Sequence, residues 1–323
     1  MKNEPLLSII TPVHNSATFV HRLMDSILDQ TYTSIEMIIV DNASTDDTPN
    51  IINSYVPKFK EKGYSLTYTR EDDMGPSYGL QTGMKMMHGD YVTFPDSDDY
   101  YLDTHAIEYM VDKFESLPDD YAVVRCMVHQ IAEVDLRLLG VWGETANEGV
   151  NDSIFEDCLY GSNYYYVNIA LMIRVSAFKE LVGLDFFTSY RFGPGRQILM
   201  PLYYARKCYT IKKVLCAYLV REKSICHGDY AQYDVRKTLY QEYPRYYHAI
   251  FDSIKSMSEK ENKFYFNDMM YRETISMIDY ILKYHSKWEA LKYCPMLYIY
   301  TPNHIKGIKR TLKNMYRIAG YSR

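Results

Sequence analysis

The 323-residue sequence lacks the marks of several protein classes. Its six cysteines, Cys126, Cys158, Cys208, Cys216, Cys226 and Cys294, form no CxxC pair, so neither a thiolate zinc site nor a disulfide framework is indicated. Scattered reduced thiols fit a cytoplasmic protein. No uncharged apolar run reaches ~18 residues, the length a bilayer-crossing helix needs. Residues Met1 to Leu7 place Glu4 and Pro5 before a short apolar run, unlike a secretory signal. Basic charge is not in excess, because 36 Lys and Arg stand against 41 Asp and Glu, a net charge of −5. A main ligand of nucleic acid, which demands a net basic surface, is therefore not expected. Repeats and low-complexity tracts are also missing. What is present is a globular composition, 47% hydrophobic and 24% charged, long enough for about two domains. The 34 tyrosines fit a surface that grips polar or ring-shaped partners.

Strands and helices alternate through the first hundred residues. Leu6 to Thr11 is a β-branched run closed by Pro12, and in Ala17 to Gln30 the residues Phe19, Leu23 and Ile27 recur at helical spacing. Ile35 to Val40 reads as a second buried strand, and the capping residues of Asn42 to Thr48 precede a helix over Pro49 to Phe59. Leu66 to Arg70 and Tyr91 to Phe94 complete four strands, with a loop and helix over Gly75 to His88 between them. Such alternation predicts right-handed βαβ crossovers and an α/β fold with a mainly parallel sheet flanked by helices. Ligands then bind at the carboxyl ends of the strands. Those ends carry His14 and Asn15, Asp41, and the run Asp96, Ser97, Asp98, Asp99. Ala122 to Val128, Val167 to Ile173 and Thr210 to Val220 are the later strands; beyond Tyr230 the pattern is helical and tyrosine-rich. A boundary near Gly228, where the alternation stops, divides an α/β unit, 1–228, whose first half ends near residue 100, from a helical region, 229–323.

Three carboxylates within four residues repel one another unless a cation lies between them, and hard oxygen donors suit Mg²⁺ or Mn²⁺. The competing role is to cap the helix predicted at Thr104 to Phe114. Asp41 ends a buried strand, where it can accept a proton donor from a nucleobase or ribose, or close an Asx turn over Asn42 to Thr48.

Ser8 to Asn15 (SIITPVHN), Ile38 to Thr48 (IIVDNASTDDT), Gly75 to Gly83 (GPSYGLQTG) and Gly89 to Asp99 (GDYVTFPDSDD) resemble, in order and spacing, family 2 glycosyltransferases of the GT-A fold, including enzymes of bacterial capsular and exopolysaccharide assembly. The resemblance implies an inverting transfer of a sugar from a nucleotide diphosphate sugar to a glycan or lipid-linked acceptor. It implies that the backbone around Pro12, His14 and Asn15 and the side chain of Asp41 hold the nucleobase, most often uracil. It assigns Asp96 near the ribose and Asp98 on the metal, with Ser97 and Asp99 in the same run, and brings Gly75 and Gln81 to the nucleotide. Two departures stand out. Leu80 replaces a customary cation, and Gly195-Arg196-Gln197 stands where an acid is usual, so Gln197 is an acceptor-side position and Asp185 the nearest downstream carboxylate for a base. Arg221 and Ser224 align with a segment that donates to the diphosphate, and His227 in that segment is a further metal-ligand candidate.

The resemblance leaves two rivals. A sugar nucleotidyltransferase also pairs a parallel sheet with Mg²⁺, but wants a glycine-rich basic first loop, and Pro12 to Ala17 (PVHNSA) is neither. A nucleotide-sugar binding protein without catalysis would explain Gln197. At the other end of the chain, residues Thr301 to Arg323 hold Lys306, Lys309, Arg310, Lys313, Arg317 and Arg323 with no acidic residue. Ile305, Ile308, Leu312 and Met315 recur there at helical spacing. This is the pattern of a helix lying on an anionic leaflet at the inner face of a membrane, or of a packed terminal helix with a solvated basic face.

Overall fold

The computed structural model describes residues 4–72, 75–151, 154–162, 164–184, 192–221, 232–301 and 304–319. The chain forms two compact units, Met1–Glu222 and Lys223–Arg323.

In the first unit the elements run β1 (Leu7–Val13), α1 (Val20–Leu28), β2 (Ile35–Asn42), α2 (Thr48–Lys62), β3 (Ser65–Glu71), α3 (Pro76–Met86), β4 (Tyr91–Thr93), β5 (Tyr100–Tyr101), α4 (Ala106–Ser116), β6 (Tyr121–Ala132), β7 (Leu138–Trp142), β8 (Gly149–Val150), α5 (Ile154–Tyr160), β9 (Leu171–Arg174), α6 (Val175–Leu181), α7 (Gly195–Ala205) and β10 (Lys207–Val220). One sheet has the order β3-β2-β1-β4-β9-β6-β10-β5, with β7 on β6 and β8 on β10. The pairs β1–β2, β2–β3 and β1–β4 are parallel. All eight residues of β2 are buried, as a parallel strand covered on both faces requires. Leu7, Ile9 and Val13 pack with Val20, Leu23, Ile27, Ile52 and Phe59 on one face. On the other, α3 lies on β1 and β2, close enough that a Cβ at Gly83 would sit 2.3 Å from Ile10 Cγ2.

The mainly parallel expectation applies to this half. Further along, β9 runs antiparallel to both β4 and β6, and β10 runs parallel to β6. The single strand expected at Val167 to Ile173 is a 3₁₀ turn, Asn168–Ala170, leading into β9. Because β9 reverses direction between β4 and β6, β4, β6 and β10 point the same way, and the carboxyl end of β10 reaches the same sheet edge as the acidic run.

The second unit comprises α8 (Tyr233–Ser253), α9 (Glu259–Tyr284), α10 (Lys287–Leu291), α11 (Cys294–Ile299) and α12 (His304–Ala319). The start of α9 is fixed by a capping box between Ser258 and Glu261. Met277, Ile278, Ile281, Ala290, Cys294, Leu297 and Ile318 form its core. Many tyrosines here serve packing rather than a gripping surface: Tyr247 is fully buried and donates to Glu273 Oε1 at 2.7 Å, and Tyr240 meets Tyr293 edge to face. Among the described residues no helix is long and apolar enough to cross a membrane, and Cys126, Cys158, Cys208, Cys216 and Cys294 are buried free thiols.

Candidate donor-binding site

The loops after β1 and β2 are interlocked. The Asn15 N–H donates to Ser44 Oγ at 2.9 Å, while its Oδ1 accepts from the Thr45 N–H at 2.8 Å. The Ser16 N–H donates to Thr48 Oγ1 at 2.8 Å. Asn15 and Ala43 both adopt left-handed backbone, at φ 48° and 55°, a conformation that asparagine tolerates better than most residues. His14 donates from Nδ1 to the Asn42 carbonyl at 2.6 Å, which leaves Nε2 to accept from the Asn15 amide at 3.1 Å. Pro12 pairs only toward β2 (Val40), since the β1–β4 ladder stops at Ile9–Thr93, so its missing N–H interrupts no second ladder.

Asp41 closes the turn open to it in the sequence, and its second oxygen is engaged from β3. Its carboxylate is fully buried. Oδ1 accepts from the Ser44 N–H at 2.8 Å, closing the turn. Oδ2 accepts from Tyr68 Oη at 2.7 Å and Arg70 Nη1 at 3.2 Å, both on β3. Arg70 is half exposed and also donates to the Ser44 carbonyl at 2.7 Å. Burial and the Asp41 carboxylate push the Tyr68 phenol above its ordinary range, against the opposing effect of Arg70.

In the acidic run, Asp96 is exposed and accepts from Asn168 Nδ2 on both oxygens at 3.2 Å, with Tyr166 Oη hydrogen-bonded to Asn168 Oδ1. Protein packed around Asp96 and the neighbouring Asp98 charge push its carboxyl up to about 7, while Asn168 pulls the other way. Asp98 Oδ2 accepts from Arg221 Nη1 at 2.9 Å, and the Arg221 guanidinium lies 4.4 Å above the Phe19 ring. Ser97 Oγ meets Ser16 Oγ at 2.8 Å, tying the run to the β1 loop. Asp99, expected among the metal ligands, is hydrogen-bonded on one oxygen only, its Oδ2 being buried without a partner among the described residues. It is wholly buried and accepts from the Leu219 N–H at 3.2 Å, and desolvation, then Asp98 and Asp96, raise its pKa. Among the described residues no three His, Cys, Asp or Glu side chains are gathered around one point.

The Gly75 to Gly83 segment packs on the ends of β1 and β2. Gly75 has φ 87° and leads into α3. At Gly79 a Cβ would sit 2.9 Å from Asn42 Oδ1 and 3.2 Å from Pro12 Cβ, so the close approach is to the ends of β2 and β1. Gln81 Nε2 donates one N–H to the Leu184 carbonyl at 2.7 Å. One turn earlier Ser77 Oγ donates to the Phe192 carbonyl at 2.7 Å. Gln197 is buried in the first turn of α7. The preceding Gly195 is pressed so closely against Tyr166 that a Cβ would fall 2.1 Å from its hydroxyl. Asp185, Ser224 and His227 lie outside the described residues. Sequence reading missed Arg70, Tyr68, Tyr166 and Asn168; only the position of Arg70 at a strand end next to Asp41 could have drawn attention to it.

This fold and sheet edge agree with comparison to known proteins. The sequence profile of glycosyl transferase family 2 matches residues 8–182, and the chain belongs to that family. Glycosyltransferase GlyA of Streptococcus pneumoniae is 28% identical over 227 residues, covering 68% of this chain and 31% of GlyA. A putative teichuronic acid biosynthesis glycosyltransferase, TuaG of Bacillus subtilis, is 38% identical over 96 residues, 30% of this chain and 37% of TuaG. The chain thus spans about a third of these curated relatives. S. aureus TarS 1-349, solved with UDP-GlcNAc, superposes with a TM-score of 0.63 over 91% of this chain and 80% of that one at 17% identity. The mannosyltransferase PcManGT of Pyrobaculum calidifontis, with GDP-Man and Mn²⁺, gives 0.53 over 98% and 85% at 16%. The fold is that of the GT-A glycosyltransferases, carried with a helical C-terminal region.

Proposed function

We propose that this chain transfers a sugar from a nucleotide diphosphate sugar, a UDP-sugar in the first instance, to a glycan or lipid-linked acceptor of a cell-surface polysaccharide, with inversion at the anomeric carbon. The observation that carries the reading is the convergence of Asp96, Asp98 and Arg221 with the interlocked β1 and β2 loops on one carboxyl edge of the sheet. The UDP-GlcNAc of TarS and the GDP-Man of PcManGT support a nucleotide-sugar donor. Buried unpaired thiols support a reducing, cytoplasmic setting.

The donor set fits Mn²⁺ or Mg²⁺. Asp96 and Asp98 offer hard oxygens two positions apart, and two neighbouring carboxylates repel one another unless a cation lies between them. Such an ion, when bound, neutralises charge on the diphosphate. The Arg221 guanidinium, beside Asp98, supports a role in which it would donate to the departing diphosphate as the bond from anomeric carbon to phosphate oxygen breaks. The acceptor hydroxyl attacks from the opposite face and passes its proton to a base. Gln197 has no carboxylate to accept that proton.

A thermal-shift panel of nucleotide diphosphate sugars, with and without Mn²⁺, tests this, because a ligand that binds only the folded state raises its stability. UDP-sugars with Mn²⁺ raise the unfolding temperature. A panel in which no nucleotide sugar does so defeats the reading, and binding without single-turnover transfer would favour a binding protein lacking catalysis.

A further inference from the structure

The chain is acidic overall, yet Lys283 to Arg323 holds nine Lys and Arg against Glu289 alone. That one carboxylate is already engaged, accepting from Lys292 Nζ at 2.5 Å and Tyr233 Oη at 3.0 Å. The same stretch exposes large apolar side chains that a water-facing surface has no use for: Trp288 is 79% exposed, Tyr316 62%, Leu312 48% and Met315 41%, with Tyr298 and Ile299 of α11 exposed as well.

Helical geometry sorts α12 into three arcs. Ile318 is buried in the core of the second unit and Thr311 and Asn314 are half-buried beside it, so these positions face inward. Leu312, Met315 and Tyr316, at i, i+3 and i+4, share an outward arc. Exposed Lys309 and Lys313 border that arc on one side. Leu312 and Met315 of the apolar stripe read from the sequence are therefore not on the packed face. The inward face is set by Ile318 instead, and Leu312 and Met315 remain available.

We propose that α10, α11 and α12 form a docking surface for an anionic lipid bilayer, with Leu312, Met315, Tyr316 and Trp288 entering the interfacial layer and Lys309 and Lys313 meeting lipid phosphates. Charge complementarity selects this occupant, since an apolar arc edged by uncompensated lysines is matched by acyl chains beneath anionic headgroups. Tryptophan and tyrosine are the side chains that favour that depth, having an apolar ring and a polar tip. The inference stands apart from glycosyl transfer, and its test reads binding alone.

The chain has two tryptophans, so a Trp142→Phe background leaves Trp288 as the reporter. The full chain is mixed with phosphatidylcholine vesicles with or without phosphatidylglycerol, and Trp288 emission and cosedimentation are followed. Anionic vesicles shift the emission to the blue, brominated lipid quenches it, and salt weakens both. Lys309→Glu with Lys313→Glu weakens partitioning roughly tenfold or more, at about 1 kcal/mol for each charge near the surface. Leu312→Glu with Met315→Glu abolishes the blue shift while leaving the circular dichroism unchanged. Equal binding to neutral and anionic vesicles, or no binding, overturns the proposal. So does a concentration-dependent dimer, seen in sedimentation and lost in Leu312→Glu with Met315→Glu, which would assign the surface to a second copy of the chain.

Discussion

Arg221 Nη1 stands 2.9 Å from Asp98 Oδ2, although 123 positions separate the two residues in the chain. The pair joins the end of β10 to the acidic run after β4. Each partner has a second use in the proposed reaction, Asp98 toward a cation and Arg221 toward a diphosphate. Asp98→Ala is expected to leave the protein folded, since the change removes one of three mutually repelling carboxylates. Calorimetry should show that chelation weakens UDP binding roughly tenfold or more in the parent protein and has no effect in the variant. Equal affinity with EDTA and Mn²⁺ in the parent would remove the cation from the site.

Asp41 accepts from Ser44, Tyr68 and Arg70 in a fully buried position. Asp41→Ala leaves those donors unmatched and should cost about 3 kcal/mol in stability, read from urea midpoints. UDP affinity should fall with it as Arg70 loses its anchor. A variant of parental stability that binds UDP poorly would mean that Asp41 meets the base directly and holds the turn only incidentally.

Gly195→Ala tests the contact between α7 and Tyr166. The added methyl displaces the Tyr166 hydroxyl, which holds Asn168 against both oxygens of Asp96. Tyr166 is partly exposed and can swing away, so stability should change by less than ~1 kcal/mol while Mn²⁺-dependent UDP binding weakens. Unchanged binding would show that Asn168 keeps its place unaided.

Glu36 gives a pH dependence of stability independent of the site. Burial pushes its carboxyl upward, but bonds from Ser8 Oγ at 2.5 Å, the His88 N–H at 2.6 Å and the His88 ring at 3.1 Å outweigh this and hold it below the usual carboxylate range. A depressed carboxylate stabilises the fold above its unfolded pKa and loses that contribution as pH falls through the folded value. Stability should therefore drop below about pH 4.5 more steeply in the parent than in Glu36→Gln. Parallel pH profiles would assign the acid sensitivity elsewhere.

The elements legible in the sequence were those written in local patterns. The β-branched runs of β1, β2 and β3 and the acidic run after β4 could be placed because period, capping residues and strand ends are short-range signals. The reversal of β9 was not, since a strand carries no mark of its neighbours' direction. Partnerships across long separations were equally hidden. Asn168 reaches Asp96 from 72 residues away, and Gln81 donates to Leu184 from 103 away. A family resemblance names the side chain at a position, and the surrounding packing then decides which of its lone pairs and protons are already used, as the engagement of both Asp41 oxygens illustrates.

The stitching of the β1 loop to the β2 loop, and through Ser16 and Ser97 to the acidic run, bears on how a ligand is greeted. Backbone and side-chain freedom in these segments is surrendered when the chain folds, before any donor arrives. Little ordering is then left to oppose association. The thermodynamic signature should be a nucleotide affinity dominated by contacts formed, with a small conformational entropy loss, and it should erode when a single stitch such as Asn15 or Ser44 is cut even though neither change alters the charge of the site.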